Sequence, residues 1–231
     1  MIAEIENKES NNSEDELTGN FFGNLRYISF NKGLKQVLKN CVGSQRLKDV
    51  IDNIHAEKWD DKVVFWGRYT EGEPDVLLEF NNAVIVIEVK FNSDLSSSDQ
   101  LDKYLKLLDN RAGDREKILI LLAREGAARN IYNKHMETGA ADNALIGYLS
   151  WQKALDALNI KDLCPFESVI INDVKKLLEI KGFGDFRNFD VSSMAVDRSE
   201  FWSFDCIGSA TNEFSFAVKQ NVERRLYYEF G

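Results

Sequence analysis

The 231-residue chain is poor in the residues that cross-link or ligate, with three cysteines, two histidines and two prolines. Cys41, Cys164 and Cys206 are odd in number and show no C-x-x-C spacing, which argues against a disulfide framework and against a cysteine zinc site. They read as structural thiols. With only His55 and His135 present, a histidine-rich metal centre is implausible, so any metal should be held by oxygen. No stretch approaches the roughly 20 consecutive apolar residues of a membrane helix. The longest runs, 83–89 and 118–123, are strand-sized. The opening Met-Ile-Ala-Glu-Ile-Glu-Asn-Lys lacks the basic start and apolar block of a secretory signal, so a cytoplasmic protein with no membrane partner is expected. A basic excess is missing too. The net charge is -9, which speaks against nucleic acid, because phosphate binding normally leaves a basic footprint.

What is present is an ordinary globular composition, 44% apolar and 29% charged, at a length suited to one domain with a sizeable core. Charge is unevenly spread. Residues 21–48 hold Arg26, Lys32, Lys35, Lys39, Arg46 and Lys48 and no acid, so a basic face can exist on an acidic molecule. Its alternative is a solvated helical face.

Residues 1–12 are polar, acidic and aperiodic and read as a loose tail. Ser13 and Glu16 fit a capping box, and Leu17, Phe21, Phe22 and Leu25 recur at helical spacing, predicting a helix from Glu14 to Phe30. Further helical turns follow at 34–38 and 47–54, broken at Val42-Gly43-Ser44. Val63 to Arg68 reads as a short strand, and Asp75 to Phe80 and Ala83 to Lys90 as strands joined by the tight turn Asn81-Asn82. The second is apolar on both faces, as a central strand should be. After a serine-rich loop come a helix to about Leu108, a strand over 117–123, a helix over 128–136, a strand over 145–149, a Ser150-capped helix and a helix from Glu167 to Ile180. The fold class is therefore α/β with a mixed sheet. One domain over 13–182 is expected, with an aromatic-rich extension over 183–231 packed on it. That extension, with Phe183, Phe186, Phe189, Phe201, Trp202, Phe204, Phe214 and Phe216, reads as core packing before a base-stacking platform.

The Asn81-Asn82 turn sets a register. If Phe80 pairs with Ala83, Asp75 falls opposite Glu88, and directly paired residues on one face have Cβ atoms about 4.5–5.5 Å apart. Two carboxylates so placed can share a divalent cation. Lys90, two residues along the strand, points to the same face. Two acids and a lysine in a half-buried spot are a poor structural choice unless a metal or substrate compensates them; the alternative is a surface ion pair at a strand end. Glu14 lies on the apolar stripe of its helix, whereas Glu16 is explained by the cap. Glu79, near the turn, reads as solvated, and Asp94 and Asp99 as helix-starting residues.

Pro74-Asp75, a hairpin, and then Glu88-Val89-Lys90 resemble the signature of the PD-(D/E)xK nuclease superfamily. Gln100-x-x-x-Tyr104 on the following helix is similar to the Q-x-x-x-Y element of several of its branches, and Glu14 matches an acidic residue that many members carry on their first helix. The resemblance covers roughly residues 13–180. It implies a restriction-endonuclease-like mixed β-sheet flanked by α-helices. It also implies Mg2+, with Mn2+ as substitute, bound by Asp75, Glu88 and the main-chain carbonyl of Val89, with Glu14 bound directly or through a water. Lys90 would orient or deprotonate the attacking water, Gln100 would position water or substrate, and Tyr104 would support the helix or touch the nucleic-acid backbone. The implied activity is nuclease hydrolysis of phosphodiester bonds, in DNA before RNA, in restriction or antiviral defence, with a homodimer as a further expected partner. The competing expectation is an inactive nuclease-fold module that binds nucleic acid or a partner protein.

Overall fold

The computed structural model describes residues 13–91, 99–137 and 144–184, all within the compact unit Met1–Asp185. The expected tail over 1–12, Asp94 and its loop, and the aromatic segment beyond Gly184 lie outside the described residues.

The architecture is α/β, a six-stranded mixed sheet flanked by helices, in strand order β1-β6-β5-β4-β3-β2. Its strands are β1 (Val42–Gly43), β2 (Val63–Phe65), β3 (Val76–Glu79), β4 (Ala83–Val89), β5 (Glu116–Ala123) and β6 (Leu145–Ser150). The helices are α1 (Ser13–Leu25), α2 (Leu34–Leu38), α3 (Gln45–Asp52), α4 (Gln100–Ala112), α5 (Glu125–Glu137), α6 (Trp151–Ala157) and α7 (Pro165–Ile180). β4, β5 and β6 run parallel, joined by α4 and α5, while β3 and β2 add antiparallel on one side and β1 antiparallel on the other.

Every residue of β4 is buried, and strand alternation sends its side chains to two separate layers. Ala83, Ile85, Ile87 and Val89, with Ile118, Ile120 and Leu122 of β5, face the larger core built from Leu17, Phe21 and Leu25 of α1 and from α2, α3, α6 and α7. Val84 and Val86, with Leu77 and Leu119, face Leu101, Tyr104, Leu107 and Leu108 of α4. Leu121, Ala123 and Tyr148 form a third contact with Ala128 of α5. A strand apolar on both faces up to Glu88 thus marks the middle of the sheet, since both of its faces are covered.

The β3–β4 register is the one the Asn81-Asn82 turn sets, with Val76 opposite Ile87, Leu77 opposite Val86 and Glu79 opposite Val84. Several boundaries differ from expectation. α1 ends at Leu25 and not at Phe30, because the Tyr27 and Ile28 amides reach back only three residues, to Asn24 and Leu25. Asn20, Gly23 and Asn24 are weak helix formers, and the Ile28 carbonyl is taken instead by the Trp59 indole at 2.9 Å. α1 begins at Ser13, and Glu16 meets Lys181 at 3.4 Å. β2 stops at Phe65, since Trp66 adopts φ 46. The break at Val42-Gly43-Ser44 is an edge strand plus a cap: Val42 and Gly43 pair with Tyr148 and Gly147, and the Ser44 hydroxyl accepts from the Leu47 amide at 3.2 Å. α7 begins two residues early, with Pro165 in its first turn and Glu167 accepting from the Cys164 amide at 2.8 Å.

The basic stretch is mostly a solvated surface whose cations are partly paired, with Lys35 as the buried exception. Lys32 pairs with Glu167, Lys39 with Asp52 and Arg46 with Glu116. Lys35 is buried and donates to the carbonyls of Asp52 and Ile54 at 2.7 and 2.9 Å. Glu79, expected to be solvated, is held by Arg111 and Arg115. Asp99 starts α4 as expected, standing at its N-cap with its carbonyl accepting from the Lys103 amide at 3.0 Å, while its carboxylate pairs with the Lys103 side chain at 3.0 Å. Among the described residues, no helix is long and apolar enough to cross a membrane.

Candidate functional site

At the C-terminal end of β4 the two layers meet. The face parity that sends Val84 and Val86 toward α4 sends Glu88 and Lys90 there as well, and the hairpin register continues to Asp75 just before β3. α4 supplies Gln100 and Tyr104 from that side. α1 brings Glu14 around the end of the strand from the other side.

All three central groups are buried: Asp75 is 8% exposed, Glu88 2% and Lys90 4%. Asp75 is fixed through both backbone and side chain. Its carbonyl accepts from the Trp66 amide at 3.2 Å, and its Oδ2 accepts from the Val89 amide at 2.8 Å. The positive φ at Trp66, rare for a bulky residue, sits where the chain is paired directly to Asp75. Lys90 Nζ lies 2.7 Å from Glu88 Oε1 and 3.1 Å from Glu14 Oε1. Glu14 Oε2 accepts from the Phe91 amide at 3.0 Å. Gln100 Nε2 donates to Glu88 Oε1 at 2.6 Å and to the Tyr104 hydroxyl at 3.0 Å, and that hydroxyl donates to the Glu73 carbonyl at 3.1 Å. Tyr104 is buried. Its hydroxyl ties α4 to the turn before Asp75.

The electrostatics follow from burial. Asp75 is pushed well above the usual carboxylate range, first by desolvation and then by the Glu88 charge, against the opposing Val89 amide and Lys90. Desolvation also raises Glu88, though Lys90 opposes it. Burial would depress Lys90, but Glu88 and then Glu14 outweigh it and hold the amine above its ordinary value. Lys90 is therefore an ammonium in the site as it stands. The Tyr104 hydroxyl is pushed up by desolvation and by Glu88, so it stays protonated and can donate.

One atom is left over. Glu88 Oε2 is buried with no hydrogen-bond partner among the described residues, where an unmade bond to a charged oxygen is expensive. A hard divalent cation suits such an oxygen: Mg2+ uses one or two protein carboxylates and keeps several waters. Asp75 and Glu88, two like charges held together in low dielectric, fit that requirement. Among the described residues there is no preassembled group of three His, Cys, Asp or Glu side chains able to hold a metal, and both oxygens of Glu14 are engaged by Lys90 and the Phe91 amide.

The sequence reasoning missed Trp151, whose indole donates to the Lys90 carbonyl at 3.0 Å, fixing the backbone opposite the Lys90 amide, which donates to the Leu122 carbonyl at 2.7 Å. Its signal was present: a large aromatic at the first position after the Ser150 cap carries an N–H that needs a partner once buried. Also missed was the aromatic corner beside Phe91, where the Arg124 guanidinium lies 5.4 Å from the Phe91 ring and 4.8 Å from that of Phe183. His135 is buried, 3.9 Å from Asp102, and Cys41 is buried with its thiol pushed up to about 12 by desolvation, in keeping with a structural thiol. No protein-family model matches this chain, and a search of curated proteins returns no match either.

Proposed function

We propose that this chain is a Mg2+-dependent nuclease of restriction-endonuclease-like fold that hydrolyses phosphodiester bonds, in DNA before RNA, in a restriction or antiviral setting. The observation that carries the reading is the buried meeting of Asp75, Glu88 and Lys90 at the end of the central strand, with Glu88 Oε2 left without a partner. A fold gains nothing from burying two carboxylates side by side unless something positive is to be bound there.

Asp75, Glu88 and the carbonyl of Val89 would hold the cation. When bound, it supplies neutralisation of charge on the phosphoryl oxygens and activation of the attacking water. In hydrolysis, water attacks phosphorus, the bond to the leaving ester oxygen breaks, and that oxygen takes up a proton. Lys90 presents an ammonium beside this position, suited to hold a phosphoryl oxygen or the incoming water. Gln100 orients Glu88 through its amide, and Tyr104 locks Gln100 to the Glu73 turn.

The direct test is incubation of the purified chain with Mg2+ or Mn2+ and mixed DNA and RNA substrates, with Lys90→Ala and Asp75→Ala as controls. Cleavage by the wild type and its loss in both variants is expected. Equal activity in all three defeats the reading. A second reading, an inactive nuclease-fold module binding nucleic acid or a partner protein, is favoured over the enzyme by the acidic net charge of -9. Titration calorimetry separates the two: absence of Mg2+ or Mn2+ affinity dependent on Glu88 supports the module.

A further inference from the structure

We propose that Glu14 is a positioning residue for Lys90 and not a ligand of the cation. The inference rests on the nuclease reading above and specifies what α1 contributes to it. Glu14 Oε1 accepts from Lys90 Nζ at 3.1 Å while Oε2 accepts from the Phe91 amide at 3.0 Å. One carboxylate thus spans the side chain of one residue and the backbone of the next. The Phe91 bond orients the carboxylate, and the oriented carboxylate sets the ammonium.

Such a clamp is needed because, apart from the ion pair with Glu88, the other contacts of Lys90 fix its backbone. The Lys90 amide and carbonyl are held by Leu122 and Trp151, but its unbranched stem has several rotatable bonds and its charge can point in many directions. Glu88 and Glu14 both hold the ammonium, one from the strand and one from α1. Once Glu88 shares its charge with a cation, its hold on Lys90 weakens. Glu14 is then the anion that keeps the ammonium at the reacting phosphate. Both side chains are largely removed from solvent, at 5% and 16% exposure for Lys90 and Glu14, so this pair is screened less than a surface ion pair.

The experiment compares wild type, Glu14→Gln, Glu14→Asp and Glu88→Gln as full-length chains. It reads kcat and KM for Mg2+-dependent cleavage of duplex DNA, and Mn2+ affinity by calorimetry. Glu14→Gln is expected to lower kcat about 10–100-fold, the range for a residue supporting a reactive group from behind, with KM and Mn2+ affinity unchanged. Glu14→Asp keeps the charge but withdraws it, and should fall between wild type and Glu14→Gln in kcat alone. It carries the comparison if the Gln variant does not fold. Loss of Mn2+ affinity in Glu14→Gln matching that of Glu88→Gln makes Glu14 a ligand and overturns the proposal, as does an unchanged kcat. If the wild type cleaves neither DNA nor RNA, the nuclease reading fails, and the clamp is read separately as the rate at which an amine-reactive ester acylates Lys90. A faster rate in Glu14→Gln than in wild type upholds the clamp, and equal rates overturn it.

Discussion

Replacing Asp75 by asparagine should make the metal-free protein more stable while abolishing its activity. Asp75 is 8% exposed, and desolvation together with the charge of Glu88 raises its carboxyl well above the usual range. Its ionised form at neutral pH is therefore a burden on the fold. The asparagine side chain is nearly the same shape, and its Oδ1 can still accept from the Val89 amide, a bond of 2.8 Å in the parent. What disappears is a buried carboxylate that desolvation and the Glu88 charge oppose, a gain on the order of the 1–3 kcal/mol penalty of an uncompensated buried polar group. For a domain of this size each kcal/mol moves Tm by about 2–4 °C. A rise of several degrees should appear in differential scanning calorimetry at pH 7.5 with a chelator present. The pH dependence carries the sign. A carboxyl raised in the folded state binds more protons folded than unfolded, so wild-type stability falls as pH rises from the ordinary aspartate value through the folded one. Asp75→Asn should flatten that fall. Lys90, also raised, holds its contribution until pH climbs past its ordinary value and does not enter the window. A lower Tm for Asp75→Asn in chelator, or an unchanged pH slope, refutes the reasoning.

Other perturbations test other parts. Mn2+ at a hundred times its Kd should stabilise the wild type by about 2.7 kcal/mol, a gain that Glu88→Gln removes. Tyr104→Phe loses the hydroxyl that joins Gln100 to the Glu73 carbonyl; denaturant unfolding should show a loss of about 1 kcal/mol, with a lower kcat in the cleavage assay. Gly147→Ala would drive a Cβ to 2.5 Å from Leu47 Cδ2 and 3.0 Å from the Val42 carbonyl, costing about 1–3 kcal/mol. Part of that loss should return in a Leu47→Ala background, whereas full stability in the single variant would contradict the close β1–β6 approach.

The candidate site was more legible in the sequence than its surroundings were. A two-residue turn between apolar runs fixes parity, and parity alone puts Asp75, Glu88 and Lys90 on one face, with Val76 opposite Ile87 as the check. Glu14 was legible because an acid on an apolar stripe has no local explanation. Its partners were not, because nothing local specifies that the start of α1 meets the end of β4. Edge strand β1 was hidden for the same reason: Val42 and Gly43 become a strand only by pairing with Tyr148 and Gly147, and the glycines there let Leu47 approach both strands. Charge was the least legible property. Lys35 and Glu79 each looked like solvated residues, and each is committed to a partner distant in sequence. The net charge could not reveal this.

The most direct measurement of the central claim is anomalous scattering from a crystal of the full chain soaked in Mn2+. The account predicts a single strong peak bridging Asp75 and Glu88 beside the Val89 carbonyl, with Lys90 retained by Glu14. An Mn2+-soaked crystal with no peak there and Lys90 still seated on Glu88 would contradict it.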